Sequence, residues 1–293
     1  MTIFDWFNRA RQEGFAIGAF NVDNLEIFKA IVMAAQNKKS PVIVEFSPGE
    51  AGYFGIKNII DMVYNTKMEL KLPILLNLDH GKPFSDVMKA IECSQPGRGF
   101  DEVHFDGSDL EFSENVNQAK KVVEAAHKKG IAVEGEINKI GGSSEVHSDD
   151  VDGEEVKKSY TKPNEAGQFV SETGVDVLAP FFGNLHGTFP VELDLDISLI
   201  SEIHDNVGEK FLALHGGSGI AATQVKEAIR VGKIVKVNVN TELRATYKDA
   251  LEEKLAEKPD EYKIYDLMPD VIRAVAAVVE DKMEVFGSSG KAA

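Results

Sequence analysis

Eight short apolar runs, each followed by a segment with helical spacing, constrain this chain more than any other feature. The runs are Ala16–Phe20, Pro41–Val44, Pro73–Leu78, Glu102–Phe105, Ile131–Glu136, Val175–Ala179, Phe211–Leu214 and Ile234–Val239. Helical spacing follows at Leu25–Ala35, Ile56–Thr66, Ser85–Glu92, Ser113–Lys129, Asn164–Thr173, Asp196–His204, Ala222–Val231 and Glu242–Leu255, and a helical tail closes the chain. Ser113 is read as an N-cap, with Glu114 in the first turn. Repeated strand–helix units give a parallel sheet. Eight of them in 293 residues fit a closed (β/α)8 barrel, read as one domain over 1–293 because no strong linker interrupts the alternation. The alternative is an open doubly wound sheet, but the first strand is not followed by a Gly-x-Gly-x-x-Gly dinucleotide fingerprint.

In a barrel the chemistry sits where strands run into helices. On that rim this chain places Asp79 and His80 after the third strand, Asp106 after the fourth and Glu136 after the fifth. His186 follows the sixth strand, His215 the seventh, and Asn238 and Asn240 end the eighth. One strand-end histidine is most simply structural; three with a glutamate on one rim point to a divalent metal. Imidazole and carboxylate ligands suit zinc, with cobalt, manganese and iron as alternatives. His104 within a strand, His127 at a helix end and His204 on a helix read as structural, and His147 falls in an acidic loop. The polar, glycine-led stretch Gly141–Asp152 is the candidate mobile loop.

A second element is anion binding. Gly216-Gly217-Ser218-Gly219 follows the seventh strand and is expected to open a helix, with glycines letting backbone N–H groups approach an anion. Asn238-Val239-Asn240-Thr241 is placed to complete the cradle, since barrels bind phosphate with the loops after strands seven and eight. The net charge of −16 argues against a nucleic-acid or anionic-membrane partner. Cys93 is the single cysteine, which excludes an internal disulfide and a Cys-based zinc site. The lack of a long apolar run or a signal-type N-terminus supports a cytoplasmic protein.

These residues resemble the class II, metal-dependent fructose-bisphosphate aldolase family along nearly the whole chain. The resemblance is carried by Gly18-Ala19-Phe20-Asn21-Val22, Pro41-Val42-Ile43-Val44 with Ser47, Leu78-Asp79-His80-Gly81, Asp106-Gly107-Ser108 and Glu136 with Gly141-Gly142. It continues through His186-Gly187, His215-Gly216-Gly217-Ser218-Gly219, Lys236-Val237-Asn238-Val239-Asn240-Thr241 and the tail from Phe286 to Ala292. It implies that His80, His186 and His215 hold a catalytic zinc and that Glu136 holds a more buried metal position. Asp79 matches the aspartate that exchanges a proton with the aldol hydroxyl, and Asn238 the residue that holds the enediolate. Gly187, Gly216, Ser218, Asn240 and Thr241 match positions around the donor phosphate, where the family also uses a monovalent cation. Asn21 and Ser47 match positions toward the other end of the substrate. The family implies a homodimer or homotetramer.

The chain also departs from the pattern. After Gly141-Gly142 many relatives carry Glu-Glu, whereas here Ser143-Ser144 precede Glu145, the nearest carboxylate for a loop base. Asn77 and Asp109 stand where relatives have histidine, and Thr188-Phe189-Pro190 where a lysine is common. Asp266-Leu267-Met268-Pro269 occupies the region of a phosphate-binding Asp-Pro-Arg. Arg244, at the start of the eighth helix, reads first as a solvated helix-face residue and second as a cation that compensates for those losses. The expected reaction is aldol cleavage of a ketose phosphate to dihydroxyacetone phosphate and an aldehyde, with fructose 1,6-bisphosphate first and tagatose 1,6-bisphosphate or a less phosphorylated ketose as alternatives. Two other classes stay open. A metal-dependent hydrolase on this fold usually has a His-x-His pair on its first strand, and Ala16–Asn21 has no histidine. A non-catalytic sugar-phosphate binder has less need of the base Asp79.

Overall fold

A computed structural model describes residues 1–148, 152–190 and 193–292. The chain opens with helix α1 (Ile3–Glu13), whose Thr2 and Asp5 form a reciprocal capping box and which stops where Gly14 turns left-handed. Then follow β1 (Ile17–Asn21), α2 (Leu25–Lys38), β2 (Val42–Phe46), α3 (Pro48–Phe54), α4 (Ile56–Leu70), β3 (Ile74–Leu78) and α5 (Phe84–Cys93). Next come β4 (Glu102–Asp106), α6 (Phe112–His127), β5 (Ala132–Glu136), β6 (Gly142–Val146), α7 (Gly153–Lys157), α8 (Pro163–Thr173), β7 (Val177–Ala179) and β8 (His186–Thr188). The chain ends with α9 (Ile197–Val207), β9 (Phe211–Leu214), α10 (Ala222–Gly232), β10 (Ile234–Val239), α11 (Thr241–Glu257) and α12 (Ile264–Val285).

Eight strands close a parallel barrel in the order β1-β10-β9-β7-β5-β4-β3-β2. This is the (β/α)8 barrel expected from the sequence, and the expected strands agree with the observed ones to within two residues at each end. Each barrel strand is buried along its length. One apolar layer lies between strands and helices. A second, with Phe7, Trp6, Ile17, Ile43, Leu75 and Val177, plugs the N-terminal end under α1. That plug leaves the opposite rim as the open mouth.

Three local expectations are corrected. The helix read from Ser113 begins at Phe112 with Glu111 at its cap, and no side chain caps it. Within Gly141–Asp152, read as an irregular loop, Gly142–Val146 form β6, which pairs with β8 outside the barrel; 149–151 lie outside the described residues. The glycine turn does not open a helix at once, because α10 starts only at Ala222. The helix N-terminus reaching the mouth is that of α11, with Asn240 at its cap. Finally, Met268 is buried with Leu267 and Val271 against Tyr247 and Leu251 of α11, so that segment is a packing surface. No helix among the described residues is long and apolar enough to cross a membrane.

Candidate active site

Asn21, Asp79, His80, Glu136, His186, Gly187, His215, Gly216, Ser218, Asn238, Asn240 and Thr241 line one cleft at the mouth. Two sequence-predicted residues do not line it. Ser47 caps α3: its N–H donates to Glu50 Oε2 at 2.6 Å and its hydroxyl accepts from the Glu50 N–H. Glu145 is exposed on β6, beyond the cleft-lining Ser143 and Ser144.

The three histidines are prepared for a cation. His80 Nδ1 lies 3.0 Å from Asp106 Oδ2, and His215 Nε2 is bonded to Glu134. Each carboxylate takes the N–H of its imidazole, which directs His80 Nε2 and His215 Nδ1 toward each other at 3.0 Å. Two lone pairs at that distance repel unless a proton or a metal lies between them. Zn–N bonds of about 2.0–2.1 Å put neighbouring tetrahedral donors about 3.3 Å apart, close to this spacing. Burial works against an imidazolium at His80, but Asp79, Asp106 and Glu136 outweigh it and raise it to about 10. Burial lowers His215 to about 4 and, with the nearby His80 charge, His186 to about 3, so both are neutral imidazoles with a lone pair free for a metal. A metal entering here displaces the proton on His80, so its affinity rises with pH. Glu136 is pushed up to about 8 by burial and by Asp106; its Oε2 is buried with no hydrogen-bond partner among the described residues. A carboxylate oxygen left unpaired beside these imidazoles fits the donor set of a divalent ion.

His80 itself adopts φ +108°, a conformation that L-residues avoid. Backbone strain of this kind persists where the surroundings fix it, commonly at functional sites. Next to it, Asp79 is buried and accepts from Asn238 Nδ2 at 3.1 Å and Asn21 Nδ2 at 3.2 Å. Burial opposes its charge, yet the neighbouring histidines hold it well below the usual carboxylate range, so it is ionised and ready to accept a proton.

The anion end combines the glycine turn with the start of α11. Gly216 has φ +64°, and a Cβ there would overlap the Leu185 carbonyl. Gly216→Ala should therefore destabilise the fold by more than about 1 kcal/mol and disturb this loop, read as a lowered melting temperature together with a raised KM. Ser218 Oγ accepts from the Glu242 N–H at 3.3 Å, tying the turn to α11.

Sequence reasoning missed three groups. Arg244 is half-buried and paired rather than free on a helix face: it pairs with Asp23 at 2.8 and 2.9 Å and with Glu50 at 2.8 Å, and Glu50 accepts from Asn21. Lys82 and Lys139 line the cleft and share Asp109, at 2.5 and 3.0 Å. Below the cleft lies an ionisable layer. Lys236 bonds Glu102 Oε2 at 3.0 Å and Glu134, while Asn77 donates to Glu45 Oε2 at 3.1 Å.

Comparison with known proteins agrees with this geometry. A family profile described as fructose-bisphosphate aldolase class-II matches residues 1–291. The fructose-bisphosphate aldolase of Geobacillus stearothermophilus is 39% identical over 99% of this chain and 97% of its own. The fructose-bisphosphate aldolase of Streptococcus pneumoniae is 38% identical over 97% of this chain and 96% of its own. Among solved structures, the YdjI aldolase of Escherichia coli is 31% identical, with a TM-score of 0.82 over 99% of this chain and 98% of its own. A Campylobacter jejuni fructose-bisphosphate aldolase at 22% identity, covering 99% of this chain and 95% of its own with a TM-score of 0.82, shares the fold. The chain belongs to the class II fructose-bisphosphate aldolase family, whose members are metal-dependent carbon–carbon lyases acting on small sugar phosphates.

Proposed function

We propose that this chain is a zinc-dependent aldolase that reversibly cleaves a ketose phosphate, with fructose 1,6-bisphosphate as the foremost substrate, to dihydroxyacetone phosphate and an aldehyde. The observation that carries the reading is the facing pair His80 Nε2 and His215 Nδ1 beside the ionised Asp79 in a cleft that ends on Gly216 and Thr241. His80, His186 and His215 would hold the ion, with Glu136 at the deeper position; a bound divalent ion supplies Lewis-acid polarisation of the donor oxygens. Asp79 accepts the proton of the aldol hydroxyl, and Asn238 and Asn21 fix its carboxylate for that transfer. Asn238, which lines the cleft beside Asp79, would also hold the enediolate. Gly187, Gly216, Ser218, Asn240 and Thr241 receive the donor phosphate. The donor-carbon proton needs a second base, and Glu145 serves only with a movement of β6, since it is exposed outside the cleft.

Exhaustive chelation should abolish retro-aldol turnover, and Zn²⁺ or Co²⁺ should restore it. Borohydride with substrate should leave activity intact, because no Schiff base forms. Activity that survives metal removal would overturn the reading.

The acceptor end differs from the familiar pattern in offering Lys82 and Lys139. Lys82→Met should raise KM on the order of tenfold for a bisphosphate and far less for a ketose 1-phosphate, as steady-state kinetics on the two substrates would read. Ser47, committed to capping α3, would contribute only from the edge of that end. Family membership supports the further assignments: a monovalent cation beside the donor phosphate, one catalytic domain, a homodimer or homotetramer, and a cytoplasmic setting. Sedimentation showing a stable monomer would refute the oligomer.

A further inference from the structure

Behind the cleft wall, Asp23, Glu50 and Arg244 form a cluster that the aldol reaction leaves without a role. None of the three lines the cleft. Glu50, on α3, is nonetheless buried and held from three sides. Its Oε2 accepts from the Ser47 N–H at 2.6 Å and from Asn21 Nδ2 at 3.2 Å, and its Oε1 accepts from Arg244 Nη2 at 2.8 Å. Arg244 is fixed in turn by both oxygens of Asp23. A capping box accounts for the Ser47 contact. It does not account for the contacts to Arg244 and Asn21, which tie the cap of one helix to another helix and to a barrel strand.

Asn21 carries the cluster to the chemistry. It lines the cleft, and the Nδ2 that donates to Glu50 also donates to Asp79 Oδ2 at 3.2 Å. An amide nitrogen has two hydrogens, so each carboxyl group takes one. Flipping the amide would set its oxygen against two acceptors, and swinging it away would break both bonds. With Glu50 held by Ser47 and Arg244, the Asn21 amide has one place to sit. The Asp79 oxygen that it holds is placed with it, while Asn238 fixes the other oxygen at 3.1 Å.

We propose that Glu50 is a positioning residue for the base: acting through Asn21, it holds the Asp79 carboxylate in the orientation that takes the aldol hydroxyl proton. A general base must lie within hydrogen-bond reach of its proton, and a misplacement of about 1 Å costs on the order of 100-fold in rate. The cluster has a second route to the cleft, since Arg244 Nη1 lies 3.4 Å from the Ser144 carbonyl on β6. The two routes differ in what they disturb. Through Asn21, loss of Glu50 affects the proton transfer at Asp79. Through β6, it affects the donor-carbon proton, which a second base must handle.

This inference rests on the aldolase reading, and two reactions of the Zn²⁺-reconstituted full-length protein separate them. The first is cleavage of fructose 1,6-bisphosphate, tagatose 1,6-bisphosphate or fructose 1-phosphate, whichever wild type turns over fastest. The second is exchange of a donor-carbon proton of dihydroxyacetone phosphate into D₂O, followed by NMR. That ketone has no aldol hydroxyl, so its exchange needs the donor site but no proton transfer to Asp79. Glu50→Ala is expected to lower kcat for cleavage by about 10–100-fold, with KM and the exchange rate each within about threefold of wild type. Retained exchange also shows that the variant is folded and loaded. Glu50→Asp keeps the charge but draws it back by one methylene from Asn21; it should show the same split more weakly, and it carries the test if the alanine variant does not fold. Glu50→Gln keeps an oxygen for Ser47 and Asn21 and gives up the one facing Arg244, so it should cleave within about threefold of wild type. Equal losses of cleavage and exchange, no loss of cleavage in the alanine or aspartate variant, or a glutamine variant as slow as alanine would overturn the positioning role alone. Wild type that performs neither reaction would overturn the aldolase reading itself.

Discussion

His80→Ala is expected to lose both bound metal and retro-aldol turnover, the latter by on the order of a thousandfold or more, because the ion supplies several kcal/mol to the transition state. His80 is the one residue common to both groups of ligand atoms, Asp79–His80–His104–His215 and His80–Asp106–Glu136. No other single substitution empties both. Its removal also strands Asp106, which His80 Nδ1 and Ser108 hold well below the usual carboxylate range against the cost of burial. Asp106→Asn gives the graded comparison: it keeps the ligand but disturbs its orientation, and should weaken metal affinity about 10–100-fold. The φ of +108° at His80 supplies a control. Alanine keeps the strained backbone, whereas glycine relaxes it. His80→Gly should therefore be as inactive as His80→Ala and at least as stable to heat. Metal analysis alongside the kinetic assay reads these outcomes, and a His80→Ala enzyme within tenfold of wild type would place the chemistry elsewhere.

The barrel was legible because its signal is repetitive: Pro41–Val44, Pro73–Leu78 and Ile234–Val239 are short, apolar and each followed by helical spacing. Strand-end polar residues were legible for the same reason: one histidine after an apolar run is most simply structural, but His80, His186 and His215 recur at strand ends on one rim with Glu136. The ionisable layer below was harder to see. Glu102, His104 and Asp106 alternate with Val103 and Phe105, and Lys236 and Asn238 alternate with Val235 and Val237. In a closed barrel that period places the polar set on the inside, yet the same alternation also describes a strand with one face in water. Only closure decides between them, by bringing Lys236 of β10 against Glu102 of β4 across the barrel. Arg244 was misread because its partners, Asp23 and Glu50, are about two hundred residues away in the chain. Ser47 shows the converse. A Ser-x-x-Glu spacing before a helix is a capping signature, and Ser47 with Glu50 carries it. Likeness to a binding position obscured a local role that the spacing already declared.

Lys236→Met is the substitution expected to cost the fold most. Lys236 is fully buried, and burial works against its ammonium, but Glu102, Glu134 and Glu45 outweigh that and hold it far above the usual lysine range. Glu134 is the anion of the layer: burial opposes its charge, yet Lys236 and His215 keep it well below the ordinary carboxylate value. Burial pushes Glu102 from 4.5 up to about 8, and Glu45 is raised well above its ordinary value by burial and by Asp79, so both are neutral acids at pH 7. The layer thus balances one cation against one anion. Methionine fills a similar volume but leaves the Glu134 charge uncompensated, at a cost of about 3–5 kcal/mol. Urea unfolding followed by circular dichroism reads the loss, and adding Glu134→Gln should recover part of it by removing the stranded charge. Glu102 also sets a sign with pH. Its folded value lies above its unfolded one, so its contribution is complete below about 4.5 and declines as pH rises through about 8. The wild-type protein should therefore lose stability from this group progressively between about pH 4.5 and 8 and no further above that, and Lys236→Met, which removes the cation that eases ionisation there, should extend the loss to a higher pH. A Lys236→Met protein within about 1 kcal/mol of wild type would mean that water or a neighbouring proton, rather than this ammonium, neutralises the layer.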